Sequence, residues 1–323
     1  MNINGIRTTP SASESSSLIP KAKLAIHLTF ALSFLAAAPA APAATPQKPG
    51  VEGPLSARLT ELATKDLRSA SNAKQAKALS LPARGAGSLL RKDGSVVVEV
   101  RTTGSTRSRV SGLEDAGAEA LNVSPRYETT TVAVAESELR ALAEAPGVEA
   151  VTEVLEPTVA GAGKGTAAVA PPISTCAGSV TSEGDAQLKA ATARTQFNVD
   201  GSGVKVGVLS DTFDRNASAS TQAANDIASG DLPGPGNPCG RTTPVEVIDD
   251  SEPSGSDEGR AMLQLVHDLA PGAPLAFADA FTGETEFADN IRALAAAGSK
   301  VIVDDIGYFA EPAFQDGVIA QAI

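Results

Sequence analysis

Between Ser95 and Pro157, short β-branched runs alternate with amphipathic stretches. "SVVVEVRT" (Ser95–Thr102) has the composition of a strand. "SRVSGLEDAGAEAL" predicts a helix ending near Asn122, and "YETTTVAVA" (Tyr127–Ala135) a second strand. "ESELRALAEAPG" predicts a helix stopped by Pro146 and Gly147, and "VEAVTEVLEP" a last strand. This β-α-β-α-β order suits a small α+β domain of the split βαβ, ferredoxin-like kind over residues 90–156. Before it, residues 41–89 read as a pro-segment, Pro/Ala-rich and disordered at first, then helical over 57–79. After it, residues 157–184 are rich in Gly, Ala, Pro, Ser and Thr and read as a linker.

From residue 185 the pattern changes. Helical stretches at "DAQLKAATARTQFN", "ASASTQAANDIAS", "DEGRAMLQLVHDLA" and "ETEFADNIRALAAAG" alternate with "GVKVGVLSD", "TPVEVID", "APLAFADA" and "KVIVDDIG", and a further helix is expected from Pro312. Continuous apolar strands between helices predict an α/β unit, a parallel sheet with helices on both faces, over residues 185–323. A dinucleotide fingerprint fails on context: Gly201 and Gly203 precede the first strand and Gly207 lies inside it.

Composition sharpens this picture. Aromatic residues make up 3 % of the chain, so Ala, Val, Leu and Ile must build the core. A net charge of −12 disfavours nucleic acid and anionic membranes as partners. Lys21 and Lys23 precede the apolar run Leu24–Ala38, and "APA" follows at Ala38–Ala40 and again at Ala41–Ala43. That is a secretory signal over about residues 1–40, and it predicts a secreted or periplasmic protein with no membrane contact once the signal is removed. In an oxidising compartment the two cysteines, Cys176 and Cys239, are expected to pair.

Ligands of open α/β sheets bind at the carboxyl ends of the strands. Here those ends carry Asp211, Asp250, Asp279, Asp304 and Asp305. Asp also serves as a turn and cap residue, which accounts for Asp250 and Asp279. Of two histidines, His27 lies in the signal segment, so only His267 remains, and a zinc site of the His/Cys kind is not expected. No cofactor and no metal are expected among these residues, and calcium stays open for the part expected beyond Ile323. On a helical wheel Glu258 shares a face with Ala261, Met262, Leu265 and Leu269, while His267 falls opposite, near Arg260 and Gln264. Glu258 is therefore read as crowning the apolar face near the rim, with Gly259 permitting close approach, and His267 as structural.

"DGSGVKVGVLSD" followed by "EGRAMLQLVHDLAPGA" resembles the subtilase superfamily. In that family such a strand carries the catalytic aspartate, and an "HGT…APGA" helix carries the catalytic histidine. Without gaps, Glu258-Gly259 falls on the His-Gly pair, which looks like the sedolisin branch, where Glu is the base. The small domain, through "TTTVAVAESELRALAEAPGVEAVTEV", is similar to the inhibitory propeptide of subtilases. Two departures stand out. The E-x-x-x-D aspartate of sedolisins is Met262 here, and the strand match puts Ser210 on the aspartate position, with Asp211 one later. Asp211 is preferred as the partner of Glu258, with Asp214 in reserve.

The resemblance implies a propeptide-bearing serine-type endopeptidase acting on polypeptides. Its own propeptide would inhibit it, and Asp305, Ile306 and Gly307 would bind the substrate backbone. The segment with the nucleophilic serine is expected beyond Ile323, so the chain reads as the N-terminal part of a precursor, without peptidase activity alone. The alternative is a non-catalytic binding or adhesion module on the same scaffold, with Glu258 merely a helix N-terminal charge.

Overall fold

The computed structural model describes residues 53–159, 178–252 and 254–323. The signal segment, the stretch up to residue 52, residues 160–177 of the linker and Cys176 lie outside the described residues.

The first half comprises α1 (Ala57–Leu62), α2 (Lys65–Arg68), α3 (Asn72–Ala78), β1 (Arg91–Lys92), β2 (Ser95–Thr102), α4 (Thr106–Asp115), β3 (Ala118–Ser124), β4 (Thr129–Val134), α5 (Leu139–Glu144) and β5 (Val148–Glu153). β2 pairs with β1, β4 and β5, and β4 also with β3, all antiparallel. Inward residues of the sheet, Val96, Val98, Val100, Val132, Val134 and Val151, pack on Leu59, Leu62, Leu113, Leu139 and Leu142.

The helix expected to run to Asn122 ends instead at Asp115, and Ala118–Ser124 is a strand. "AEAL" favours helix locally, but pairing with β4 from Ala118↔Val134 to Ser124↔Thr129 overrides that weak preference.

The second half comprises β6 (Thr158–Val159), α6 (Glu183–Gln187), α7 (Ala190–Phe197), β7 (Val206–Ser210), α8 (Ala223–Ser229), β8 (Glu246–Val247), α9 (Glu258–Leu269), β9 (Leu275–Asp279), α10 (Glu284–Ala296), β10 (Val301–Asp304) and β11 (Ile306–Gly307). Four strands form a parallel sheet in the order β10-β7-β9-β8. Strand alternation sends Val206, Val208, Leu275 and Phe277 to one face, against Leu263 and Val266 of α9. It sends Leu209, Ala276 and Ala278 to the other, against Phe287, Ile291 and Leu294 of α10. The molecule is thus mixed α/β, with a parallel sheet covered on both faces. Among the described residues no helix is long and apolar enough to cross a membrane.

Two further expectations are corrected. The residues after Pro312 form turns and one 3-10 turn, Ala320–Ala322, because the chain folds back and sets Gly317 against Pro312. Residues read as linker also carry structure: Thr158–Val159 is β6, and Ser179 and Val180 donate to the carboxylate of Asp231.

Candidate active site

β7 ends at Ser210, so Asp211 emerges at the carboxyl edge of the sheet, 5 % exposed. Its Oδ1 accepts from the backbone N–H of Thr212 (2.5 Å), Glu258 (2.8 Å) and Gly259 (3.4 Å). Its Oδ2 accepts from the N–H and Oγ of Ser256, both at 2.5 Å. The first turn of α9 has unsatisfied N–H groups, and the carboxylate of Asp211 takes two of them from outside the helix.

The helix is entered through Asp257, 4 % exposed, with φ +60°, a left-handed conformation that Asp tolerates better than most residues. Its carboxylate accepts from Thr212 Oγ1 (2.8 Å), the backbone of Arg215 and Asn216, and Arg260 Nη1 (2.7 Å). Gly259 is dictated by space: a Cβ there would lie 2.3 Å from the Phe277 ring and 2.9 Å from the Thr212 carbonyl oxygen. Asp214 pairs with Arg260 at 2.8 Å and accepts from Ala223 N–H, and so ties the start of α8 to α9.

The buried face of α9 is not the one the apolar pattern suggests. Gly259, Arg260, Leu263 and His267 face inward, while Ala261 and Leu265 are exposed. Arg260 can be buried because its guanidinium meets Asp214, Asp226 and Asp257 and donates to the carbonyls of Phe213 and Thr221. His267, expected on a polar face, is 5 % exposed, and burial holds its pKa below the usual value. Nine residues on, it lies roughly 13–14 Å along the helix axis from Glu258.

Glu258 is consequently half-buried and turned to the rim, where its carboxyl group hydrogen-bonds that of Asp305. Asp305 sits where β10 leaves the sheet, one residue past the Asp304↔Leu209 pair, and Ser210 Oγ donates to its Oδ1 at 3.2 Å. Burial, then the negative charges of Asp305 and Asp211, raise Glu258 to about 7. Burial raises Asp305 as well. Two carboxyl groups in contact cannot both ionise cheaply, so the pair holds one proton between them.

Three of the acids singled out in the sequence, Asp211, Glu258 and Asp305, therefore meet at this rim, but the group that touches the Glu258 carboxyl is Asp305, while Asp211 holds the Glu258 backbone N–H. No sequence signal reveals that contact, since it depends on how far β10 extends past its pairing with β7.

Beside the carboxyl pair, β11 pairs antiparallel with β6: Ile306↔Val159 and Gly307↔Thr158. A Cβ at Gly307 would come within 3.0 Å of Thr158 Cγ2, so glycine lets the two backbones close up. The first half also meets α10, whose first turn has no side-chain cap of its own. Glu99 on β2 accepts from Thr285 N–H (3.2 Å) and Oγ1 (2.6 Å). Arg292 stacks on Tyr127, 5.4 Å from the ring centroid. Cys239 is disulfide-bonded, and its expected partner Cys176 lies outside the described residues.

No family description matches the chain, and no curated protein matches it. Among solved structures, it is similar to fervidolysin from Fervidobacterium pennivorans, a keratinolytic enzyme related to subtilisin. The identity is 16 %, the TM-score 0.34, and the match covers 74 % of this chain and 41 % of fervidolysin. The chain thus spans under half of that protein, and the functional reading rests on the site itself.

Proposed function

We propose that this chain belongs to an exported, self-inhibited peptidase precursor of the serine-carboxyl kind, acting on polypeptides. The observation that carries this is the pairing of β6 with β11. It lays an extended backbone, antiparallel, immediately beside a proton-sharing carboxyl pair. A polypeptide substrate entering by strand addition uses the same edge. In this reading Ile306 and Gly307 bind substrate backbone, and β6 occupies their place in the precursor. The order β5-β2-β4-β3 with α4 and α5 supports a ferredoxin-like inhibitory domain. Secretion follows from the signal-like N-terminus.

Glu258 and Asp305 act as one acid–base unit. With one proton shared, the ionised member takes the proton of a serine nucleophile, and the pair then returns a proton to the leaving amine. Asp211 holds the first turn of α9 in place, and its charge helps keep the proton on the pair. A non-catalytic module in which Glu258 is a helix-favoured charge fits less well. Such a charge has a lowered pKa, and that of Glu258 is raised.

The test is peptide hydrolysis by the full-length gene product. Glu258→Gln should cut kcat by about 10²–10⁴-fold or more with folding retained, and His267→Gln far less. Activity that survives Glu258→Gln but not His267→Gln refutes the carboxyl-base mechanism.

A further inference from the structure

A second acidic cluster lies at the same edge of the sheet but outside the proposed catalytic set. Asp249 follows β8, Asp279 ends β9, and Glu286 stands in the first turn of α10. A carboxylate oxygen from each lies within 4.8 Å of the others. Asp279 is fully buried and Glu286 5 % exposed.

Hydrogen bonds fix the three groups without satisfying them. Asp279 Oδ2 accepts from the N–H groups of Ser251 (2.6 Å) and Glu252 (3.0 Å) and from Ser251 Oγ (3.3 Å). Glu286 Oε2 accepts from Thr282 N–H at 3.0 Å. Asp249 accepts from Ser251 N–H (3.2 Å) and Asn290 Nδ2 (3.3 Å). Asp279 Oδ1, fully enclosed, has no partner at all. Nor does a cation neutralise the cluster. The ion pairs among the described residues leave out all three acids, and the nearby Lys92 is paired with Glu119. Buried carboxylates with neither counter-charge nor full hydrogen bonding are costly as built, and that cost points to a missing ligand.

The donor set says which ligand. It is all oxygen and all carboxylate, which suits a hard divalent cation rather than zinc or copper. Calcium takes oxygens at about 2.3–2.6 Å, so two ligands on opposite sides of one ion stand about 4.6–5.2 Å apart. Oxygens within 4.8 Å of one another fit that span, and a dehydrated cluster of three protein carboxylates suits calcium better than magnesium, which keeps several of its waters. Ser251, Glu252 and Thr282, which hold the cluster's hydrogen bonds, also line a cavity of about 120 Å³ with Lys92, Ala120 and Leu121. That cavity gives room for the waters that complete a coordination shell of six to eight.

We infer that Asp249, Asp279 and Glu286 form a calcium site that ties the ends of β8 and β9 to the start of α10. The sequence reading expects no metal because it looks to histidine and cysteine, and this site uses neither. The inference stands apart from the peptidase reading, since it concerns binding and stability alone.

The experiment uses the whole chain, stripped with chelator, in calorimetric titration with CaCl₂ and in thermal unfolding. One saturable site is expected, with Tm raised by roughly 5–10 °C at a hundredfold excess over the dissociation constant. Asp279→Asn, Glu286→Gln and the milder, half-buried Asp249→Asn should each abolish or weaken the calcium-dependent rise. Asp249→Asn keeps the test decisive if the buried variants fold poorly. No heat and no Tm change at about 10 mM calcium, or a rise that survives all three variants, overturns the site. An equal response to magnesium overturns the assignment to calcium.

Discussion

Asp211→Asn separates a cap from a catalytic charge. The amide must put its NH₂ where one carboxylate oxygen was. At the Oδ1 position it would face three backbone N–H groups, so it turns to the Oδ2 position. There Ser256 Oγ can rotate to accept, but Ser256 N–H is left opposing a donor. Stranding that N–H costs about 1–3 kcal/mol. The bonds that remain lose their charge assistance, which roughly halves their strength and costs about 1 kcal/mol each for Thr212 and Glu258. The sum is roughly 3–5 kcal/mol. At about 2–4 °C per kcal/mol, Tm should fall by roughly 6–20 °C. Thermal unfolding followed by far-UV circular dichroism measures it. A fall under about 2 °C would show that the carboxylate is not what holds the start of α9. Loss of hydrolysis in the full-length protein with Tm unmoved would return Asp211 to a direct catalytic role.

Three more outcomes follow from the same geometry. The Glu258 carboxyl should titrate near pH 7 by isotope-edited infrared spectroscopy, and Asp305→Asn should move it down by removing a like charge; an unchanged titration would separate the two groups. Glu284, at the junction with the small domain, is raised to about 7 by burial, then by Glu99 and Glu311, while Glu99 is raised by burial. Raised carboxyls contribute stability that is complete below their unfolded value near 4.5 and is lost as pH rises through the folded one. Docking of the small domain should therefore weaken up to about pH 7, read as growing susceptibility to proteolysis, and a junction that tightens over that range contradicts the assignment. Gly259→Ala must displace the Phe277 ring and should lower stability by about 1–3 kcal/mol or more in urea unfolding, whereas a neutral result would show that the contact can relax.

The strands of the parallel sheet were legible because Val206–Ser210, Leu275–Asp279 and Val301–Asp304 are apolar runs of the right length between helices. β3 was not, because Ala and Leu say helix until a neighbouring strand is present to pair with. The orientation of α9 was misread for a related reason. A wheel sorts residues by polarity, and here the inward face carries Arg260 and His267, the former made tolerable by aspartates 34 to 46 positions earlier and by its neighbour Asp257. Glu258 was conspicuous as a residue, but its contact with Asp305 joins two places 47 residues apart. Pattern shows which acids reach the rim, and only packing shows which of them touch.

The β6–β11 ladder is two residues long, too little to hold two separate molecules together. While the chain is continuous from Val159 to Gly178, however, the two strands meet at a local concentration fixed by covalent geometry, whatever the amount of protein in solution. Cutting any one peptide bond between Val159 and Cys176 alters no contact in the ladder. It changes the molecularity, so that β6 becomes a competitor whose occupancy falls on dilution, and whatever binds the same edge in trans gains by that much.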